Sequence, residues 1–488
     1  MSEISKPHID GIENVDQLEE FTESFRRDEA RLVRKLDLFI APVLMLLMLI
    51  SYLDRGNIGY AATQGMNEDI GLKGSEFNCT PQVAVSVFYI FYVLAEFPVS
   101  LFARRLQFNR IIPAATVSWG LVCLCNGLVH DFGGLVACRL VLGLTEGFLF
   151  PSMTLMLATW FRREELATRI SYLFIASALA GAFGGLIAFG ILYMDGVADY
   201  PGWRWLYIIE GAFTIVVGLC CIFLIPKSFE QAYFLNEEDK RIMRRRAEDM
   251  EAYSGGKGHY AMSDVKAAVQ DIKTWIHGTM QICAVTILYG FGTFLPVILK
   301  NGFDFSTEQA QYLVIPVNLW GAAIYFLGAI LSDRFNARSL VIAITAPFGI
   351  AGYAILLAWD VSAGVQYFAT FLIATSCFLC AGTNIAWMSG NCAPDGKKAA
   401  SLGIQLTLTN IGGVVAGQIY QSEAAPKYVL GNAWSLASVA VVWIGCVVLR
   451  YIYLLRERGK QEMRESGGVD VPESWRATDR DVDFKYML

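Results

Sequence analysis

Twelve apolar stretches alternate with polar gaps along the chain, at roughly 36–60, 82–103, 111–129, 134–158, 166–193, 203–225, 275–299, 309–332, 338–358, 363–388, 399–421 and 430–455. Each is long enough to cross about 30 Å of hydrocarbon as a helix rising 1.5 Å per residue. Most gaps are short, so consecutive helices must run antiparallel. The exception is the long charged gap from Lys227 to Lys273, which divides the pattern into two halves of six. The predicted organisation is an N-terminal tail (1–35), a six-helix half (36–226), a central loop (227–274), a second six-helix half (275–455) and a C-terminal tail (456–488). The fold class this implies is an all-α membrane protein with twelve transmembrane helices.

Composition agrees: 55% of the 488 residues are hydrophobic and only 17% are charged, and the mean hydropathy is +0.44. Such values exclude an ordinary soluble domain. Arginine clusters in one set of gaps, as Arg104, Arg105 and Arg110, Arg162, Arg163 and Arg169, Arg241 and Arg244 to Arg246, and Arg334 and Arg338; Lys397 and Lys398 continue that series. The alternate gaps hold only isolated lysines such as Lys73, Lys300 and Lys427. Both termini and the central loop are therefore expected in the cytoplasm. The N-terminal tail has no short apolar core followed by a small-residue cleavage site, so the first span is expected to do the targeting. The net charge of -6 is spread over mixed-charge tails and loops and implies no nucleic-acid partner.

Eleven cysteines, nearly all within apolar stretches, argue against a disulfide framework. Cys377 and Cys380 form a CxxC with no histidine or second CxxC nearby and read as small packing residues rather than metal ligands. Neither a phosphate-binding loop nor a nucleophile–base pair is present, so no metal, cofactor or enzymatic reaction is expected. Asn78-Cys79-Thr80 fits a glycosylation sequon in the first external loop, although Pro81 follows it.

The informative residues are the charges at membrane depth: Asp54 and Arg55 in the first span, Arg139 and Glu146 in the fourth. A buried charge costs at least a few kcal/mol and is normally retained where an ion or substrate passes. Residues seven apart on a helix differ by about 20° in direction and about 10 Å in height, so Arg139 and Glu146 share a face. The depth of Arg139, near the outer start of its span, matches that of Asp54 and Arg55 near the outer end of theirs. Arg55 is the first choice to hold an anion through its forked guanidinium, with Arg139 pairing Glu146 or sharing the anion. His8, His130, His259 and His277 fall in tails, loops or at a helix end, which leaves Asp54 and Glu146 to carry a proton. The alternative is a structural ion-pair cluster joining the two helices. Glu96 and Glu210, toward helix ends, read as structural.

The turns Trp160 to Glu165 and Ala393 to Lys398 occupy equivalent places after the fourth and tenth spans and suggest an internal repeat. A cavity between such halves would lie near the bilayer midplane. Gly181, Gly184, Gly185 and Gly190 of the fifth span, and Gly403, Gly412, Gly413 and Gly417 of the eleventh, permit close helix packing or a moving seam.

Gly328-Ala329-Ile330-Leu331-Ser332-Asp333-Arg334-Phe335-Asn336-Ala337-Arg338 resembles the loop signature of the major facilitator superfamily; its counterpart at Phe97 to Arg105 is degenerate. Arg139-Leu140-Val141-Leu142-Gly143-Leu144-Thr145-Glu146-Gly147 with Pro151 resembles the fourth-helix motif of the anion:cation symporters. Asp54 to Ile58 and Gly202 to Gly211 are similar to their first- and sixth-helix motifs. The long central loop and Trp387 to Asn391 before Pro394 resemble the fungal allantoate and nicotinate permease branch. The resemblance implies a major facilitator fold that takes up a small organic anion with protons at the cell membrane. Nicotinate or a related monocarboxylate is the first expectation, then allantoate, pantothenate or biotin. It implies Tyr52 and Tyr92 as phenol contacts, Asn57 within the first-helix motif, and Asn384, Asn391 and Asn410 as amides in the second half. It also implies Asp333, Arg334 and Arg338 as a gating loop. Only Ser171 and Ser177 stand in the fifth span where relatives that read polyhydroxyl substrates use an amide, so a sugar acid is disfavoured. Phe88, Phe91, Trp320 and Trp387 are available to cover an aromatic ring. The expected partners are the anion, protons and lipid, with the chain acting as a monomer. Export of an acidic metabolite and nutrient sensing without transport are the competing readings.

Overall fold

A computed structural model of the chain describes residues 15–71, 75–102, 107–253, 262–303, 305–335, 337–358, 361–420, 424–465, 478–482 and 484–487. It is a bundle of helices. The first half comprises α1 (Val15–Phe39), α2 (Ala41–Thr63), α3 (Ser75–Phe102), α4 (Phe108–Asn126), α5 (Phe132–Glu146), α6 (Leu149–Trp160), α7 (Arg163–Ile191) and α8 (Gly202–Leu224). Two polar helices, α9 (Glu237–Tyr253) and α10 (Met262–Gln270), form the central segment. The second half comprises α11 (Ile272–Val297), α12 (Thr307–Phe335), α13 (Arg338–Ala358), α14 (Ala363–Gly390), α15 (Asp395–Ile419) and α16 (Val429–Glu465). Among the described residues, 11 helices are long and apolar enough to cross a membrane, and α3 contributes the shorter apolar run Val83–Glu96. The fourth expected span is broken into α5 and α6 at Gly147-Phe148.

The halves meet along three seams, α2 with α11, α3 with α15, and α7 with α12. Glycines set the spacing there. A Cβ on Gly413 would lie 2.6 Å from the Tyr89 ring, and one on Gly185 would lie 2.9 Å from the Gln311 carbonyl. A side chain at either place would push the halves apart, whereas a Cβ on Gly403 meets nothing within 4 Å. Overpacking a tight contact costs about 1–3 kcal/mol. Gly413→Leu is accordingly expected to lower the melting temperature of the purified protein, and Gly403→Leu to leave it near wild type; equal melting of the two would contradict the seam.

The C-terminal tail is folded back on the bundle. Helix α16 continues to Glu465, and residues 478–482 and 484–487 return to the bundle end where α11 and α15 begin. Asp479, 1% exposed, ion-pairs with Lys273 and, at 2.8 Å, with Lys397; Asp271 binds Lys397 at 2.7 Å. Met487 donates its N–H to Asn391 Oδ1 (2.7 Å) and accepts from Trp387 Nε1 and Asn391 Nδ2, both at 2.9 Å. Burial alone would raise the Asp271 carboxyl, but Lys273, Lys397 and Arg456 outweigh it and hold it down at about 2. Burial likewise opposes ionisation of Asp479, and Lys273 and Lys397 again prevail and depress it.

A carboxyl whose folded value lies below its unfolded value, near 4, stabilises fully above the unfolded value. It loses that contribution as the pH falls through the folded one. Hydrogen exchange of residues 478–487 is therefore expected to change little in protection between pH 8 and 5 and to lose protection on acidification toward pH 2. Asp479→Asn leaves two buried lysines short of a counter-charge, a loss of about 3–5 kcal/mol. It should raise exchange in that segment at pH 7; unchanged protection in the variant would contradict the clamp.

Candidate functional site

Helix α2 carries the central charge. Arg55 donates from Nε to Glu146 Oε1 at 2.6 Å, with side-chain exposures of 9% and 0%. Ser51, one turn before Arg55, donates to the same Glu146 oxygen. Glu146 Oε2 is buried and has no hydrogen-bond partner. The guanidinium carbon lies 4.9 Å from the Tyr52 ring centroid, 4.8 Å from Tyr92 and 5.4 Å from Phe88, so three faces of π density surround it. Glu146 reaches this place because α5 lies close against α3. A Cβ on Gly147 would stand 2.7 Å from the Tyr92 carbonyl, and Gly143 is packed on the Phe88 carbonyl.

Arg55 forms part of the wall of a cavity between the halves. One lobe extends toward the starts of α2 and α11 past Met48, Tyr92, Glu96, Gln281 and Asn410. The other extends past Tyr60, Tyr89, Gly181 and Asn318. Tyr52, Arg55, Leu288 and Tyr289 belong to both. Tyr289 stacks on Tyr89 at 4.9 Å, joining the halves across the middle. Beyond the second lobe polar contacts close the seam: Lys300 Nζ donates to the Thr63 carbonyl at 2.5 Å, and Gln418 Nε2 to Ser86 Oγ at 2.6 Å. In the first lobe Asn410 Nδ2 donates to Glu96 Oε2 at 2.6 Å.

A largely apolar cavity between two helical halves, with one arginine at its centre, is a small-molecule site by shape and lining. The chain matches the Major Facilitator Superfamily over residues 44–417. It belongs to that superfamily. Among its relatives, "Uncharacterized transporter C1002.16c" of Schizosaccharomyces pombe is 39% identical, covering 96% of this chain and 92% of the relative. The "High-affinity nicotinic acid transporter" of Saccharomyces cerevisiae is 30% identical, covering 94% and 85%. A bacterial homologue of the human lysosomal transporter Spinster shares the fold, with a TM-score of 0.63 at 15% identity over 84% of this chain and 95% of that one. The protein is thus a multi-pass membrane transporter and not an enzyme.

The facilitator separates its membrane charges into two clusters. In the first, Arg55 lines the cavity, and Glu146 and Ser51 are buried behind it and line neither lobe. The second is enclosed within the first half and lines neither lobe. There Asp54, 0% exposed, accepts from Trp119 Nε1 at 2.5 Å and from the Cys123 thiol at 3.2 Å. Arg139 was expected beside Glu146 or the anion; it donates instead to the Tyr207 hydroxyl (2.8 Å) and the Asp54 carbonyl (3.5 Å). Asn57 turns the same way and donates to Glu210. The sixth-helix motif has a bracing role, with Trp203 and Arg204 donating to Asp69 at 3.2 and 2.8 Å.

In the second half Asn410 lines the cavity, but Asn384 and Trp387 do not. Asn384 Oδ1 lies 2.7 Å from His277 Nδ1, its amide donates to Gln281 Oε1 at 2.7 Å, and Trp387 packs on His277 and the tail. His277, placed by sequence at a helix end, is fully buried there and also lines neither lobe. Trp320 lies on the exposed side of α12, with Nε1 on Thr375. Of the signature loop, Arg338 donates to the Ala386 carbonyl and pins α13 to α14, and Arg334 is exposed. The side chains of Asp333 and Asn78, and residues Arg104 and Arg105, lie outside the described residues; the Asn78 backbone is in the first turn of α3.

Glu96, Gln281, Tyr89 and Tyr289 were missed as cavity residues. A usable signal existed for two of them. Glu96 stands four residues after Tyr92, and Tyr289 eight after Gln281, so each shares a helix face with a polar or aromatic neighbour.

Proposed function

We propose that this transporter is a proton-coupled importer of a small organic monocarboxylate, with nicotinate the first choice and allantoate, pantothenate and biotin next. It belongs, on this reading, to the fungal allantoate and nicotinate permease branch of the anion:cation symporters. Its twelve spans leave both termini in the cytoplasm, and it works as a monomer in the cell membrane. The observation that carries the reading is Arg55, which uses Nε for Glu146 and lines both lobes of the cavity. A forked, permanently charged donor between aromatic faces suits a planar carboxylate. Glu146 supplies the coupling: its partnerless Oε2 can take a proton, and a neutral carboxyl no longer competes with the substrate for Arg55. Alternating opening of the seams then carries both across. Asp54, enclosed beside Arg139, assists by holding that half together and by exchanging protons with Glu210. The likeness to a nicotinic acid transporter over 94% of the chain supports the substrate class.

Competition is the direct test. Uptake of labelled nicotinate by whole cells expressing the protein is expected to be inhibited by monocarboxylates and to rise as the external pH falls. No pH-dependent uptake of any monocarboxylate, or net efflux under the same gradient, would overturn the proposal.

A further inference from the structure

Among the described residues, Arg55 and Glu96 are the only charged side chains in the lining of the first lobe. They come from different helices, α2 and α3, and the lobe between them is walled by apolar groups such as Phe150, Phe174, Val285 and Leu288. The Glu96 end is rich in acceptors. Asn410 uses its amide nitrogen on Glu96 Oε2 (2.6 Å) and on the Leu406 carbonyl (3.3 Å), so both of its donor hydrogens are committed and only its oxygen is left. Asn410 is also the one hydrogen-bond partner of Glu96 among the described residues, which leaves Glu96 Oε1 uncommitted. A cation thus faces two free acceptors across a lobe that Tyr52, Tyr92, Gln281 and Thr409 also line.

From this layout we infer that Glu96 is a specificity determinant: it selects monocarboxylates that carry a nitrogen set apart from the carboxylate, as at the meta position of a ring, and it rejects a second anion. The inference rests on the proposed docking of the substrate carboxylate at Arg55. An N–H of the substrate bonds directly to ionised Glu96. A bare ring nitrogen is accommodated by one added proton, held between it and Glu96. An isostere with C–H in that place leaves the acceptors unpaired as water is excluded, the situation in which polar sites discriminate most strongly. A second carboxylate meets a like charge, so exclusion arises from repulsion as well as from a missing bond. Glu96 also spans the α3–α15 seam through Asn410. Engaging it therefore links recognition to the contact between the halves.

The test is equilibrium binding to the full chain in lipid nanodiscs, with labelled nicotinate displaced by nicotinate, benzoate, which has C–H in place of the nitrogen, and isophthalate, which carries a second carboxylate. Direct binding of labelled benzoate is measured in parallel. Wild type is expected to prefer nicotinate to benzoate by at least about tenfold and to bind isophthalate most weakly. Glu96→Leu should bring nicotinate and benzoate within about twofold of each other. Glu96→Asp, which keeps the carboxylate, should preserve the order and so separates loss of the charge from loss of the fold. Equal binding of nicotinate and benzoate by wild type, or a preference that survives Glu96→Leu, would overturn the inference while leaving the Arg55 site standing. Binding of neither compound by wild type would remove the monocarboxylate reading itself and the inference with it.

Discussion

Replacing Arg55 by lysine is expected to reduce uptake at least about 100-fold, close to 2.7 kcal/mol in transport efficiency, with normal amounts of protein in the membrane. Lysine keeps the charge and loses the fork. Arg55 binds Glu146 through one nitrogen and lines both lobes of the cavity, with three aromatic rings packed around it. An ammonium offers a point charge that can serve Glu146 or an anion, without the planar edge that holds both. Surface expression and labelled uptake, measured on the same cells, check the prediction. Wild-type affinity and rate in the lysine variant would remove Arg55 from the substrate site.

Glu146→Gln is expected to abolish uphill accumulation while retaining binding and substrate exchange. The amide has nearly the shape of the protonated carboxyl and can keep the contacts to Ser51 and Arg55, but it releases no proton. Exchange of internal for external substrate needs no net proton movement, so it should survive within about tenfold of wild type, whereas accumulation against a gradient should fall to background. The two assays on one variant separate a coupling residue from a packing residue. Uphill, pH-dependent uptake by Glu146→Gln would pass the coupling role to Asp54 or Glu96.

The contrast between these carboxylates shows where sequence information ended. Hydropathy and the Asp54-Arg55 and Arg139–Glu146 pairs identified the two helices and their depths, because a buried charge is visible in an apolar run. Helical periodicity placed Arg139 and Glu146 on one face. It did not specify which neighbour each would meet. Two arginines lie at similar depth, and the choice between them depends on the rotation of α2 and on the close approach of α5 to α3 at Gly143 and Gly147. Since successive residues on a helix point about 100° apart, Asp54 and Arg55 face different surroundings: one faces the interior of its half, the other the cavity. Glu96 was read as structural from its position along α3, although distance from a helix end does not fix which way a side chain points. The tail clamp was illegible for another reason. Asp271, Lys273, Lys397 and Asp479 come from widely separated places in the chain, and the lysine of the basic turn at 397 looked like a loop charge rather than a buried ion-pair partner.

The coupled movement of anion and proton is tested most directly with purified protein in sealed liposomes containing a pH-sensitive dye. On adding nicotinate outside, with no other driving force, the account predicts acidification of the lumen that tracks substrate entry. Glu146→Gln should abolish this acidification and leave exchange intact. Nicotinate entry at the same rate with no change in lumenal pH would contradict symport.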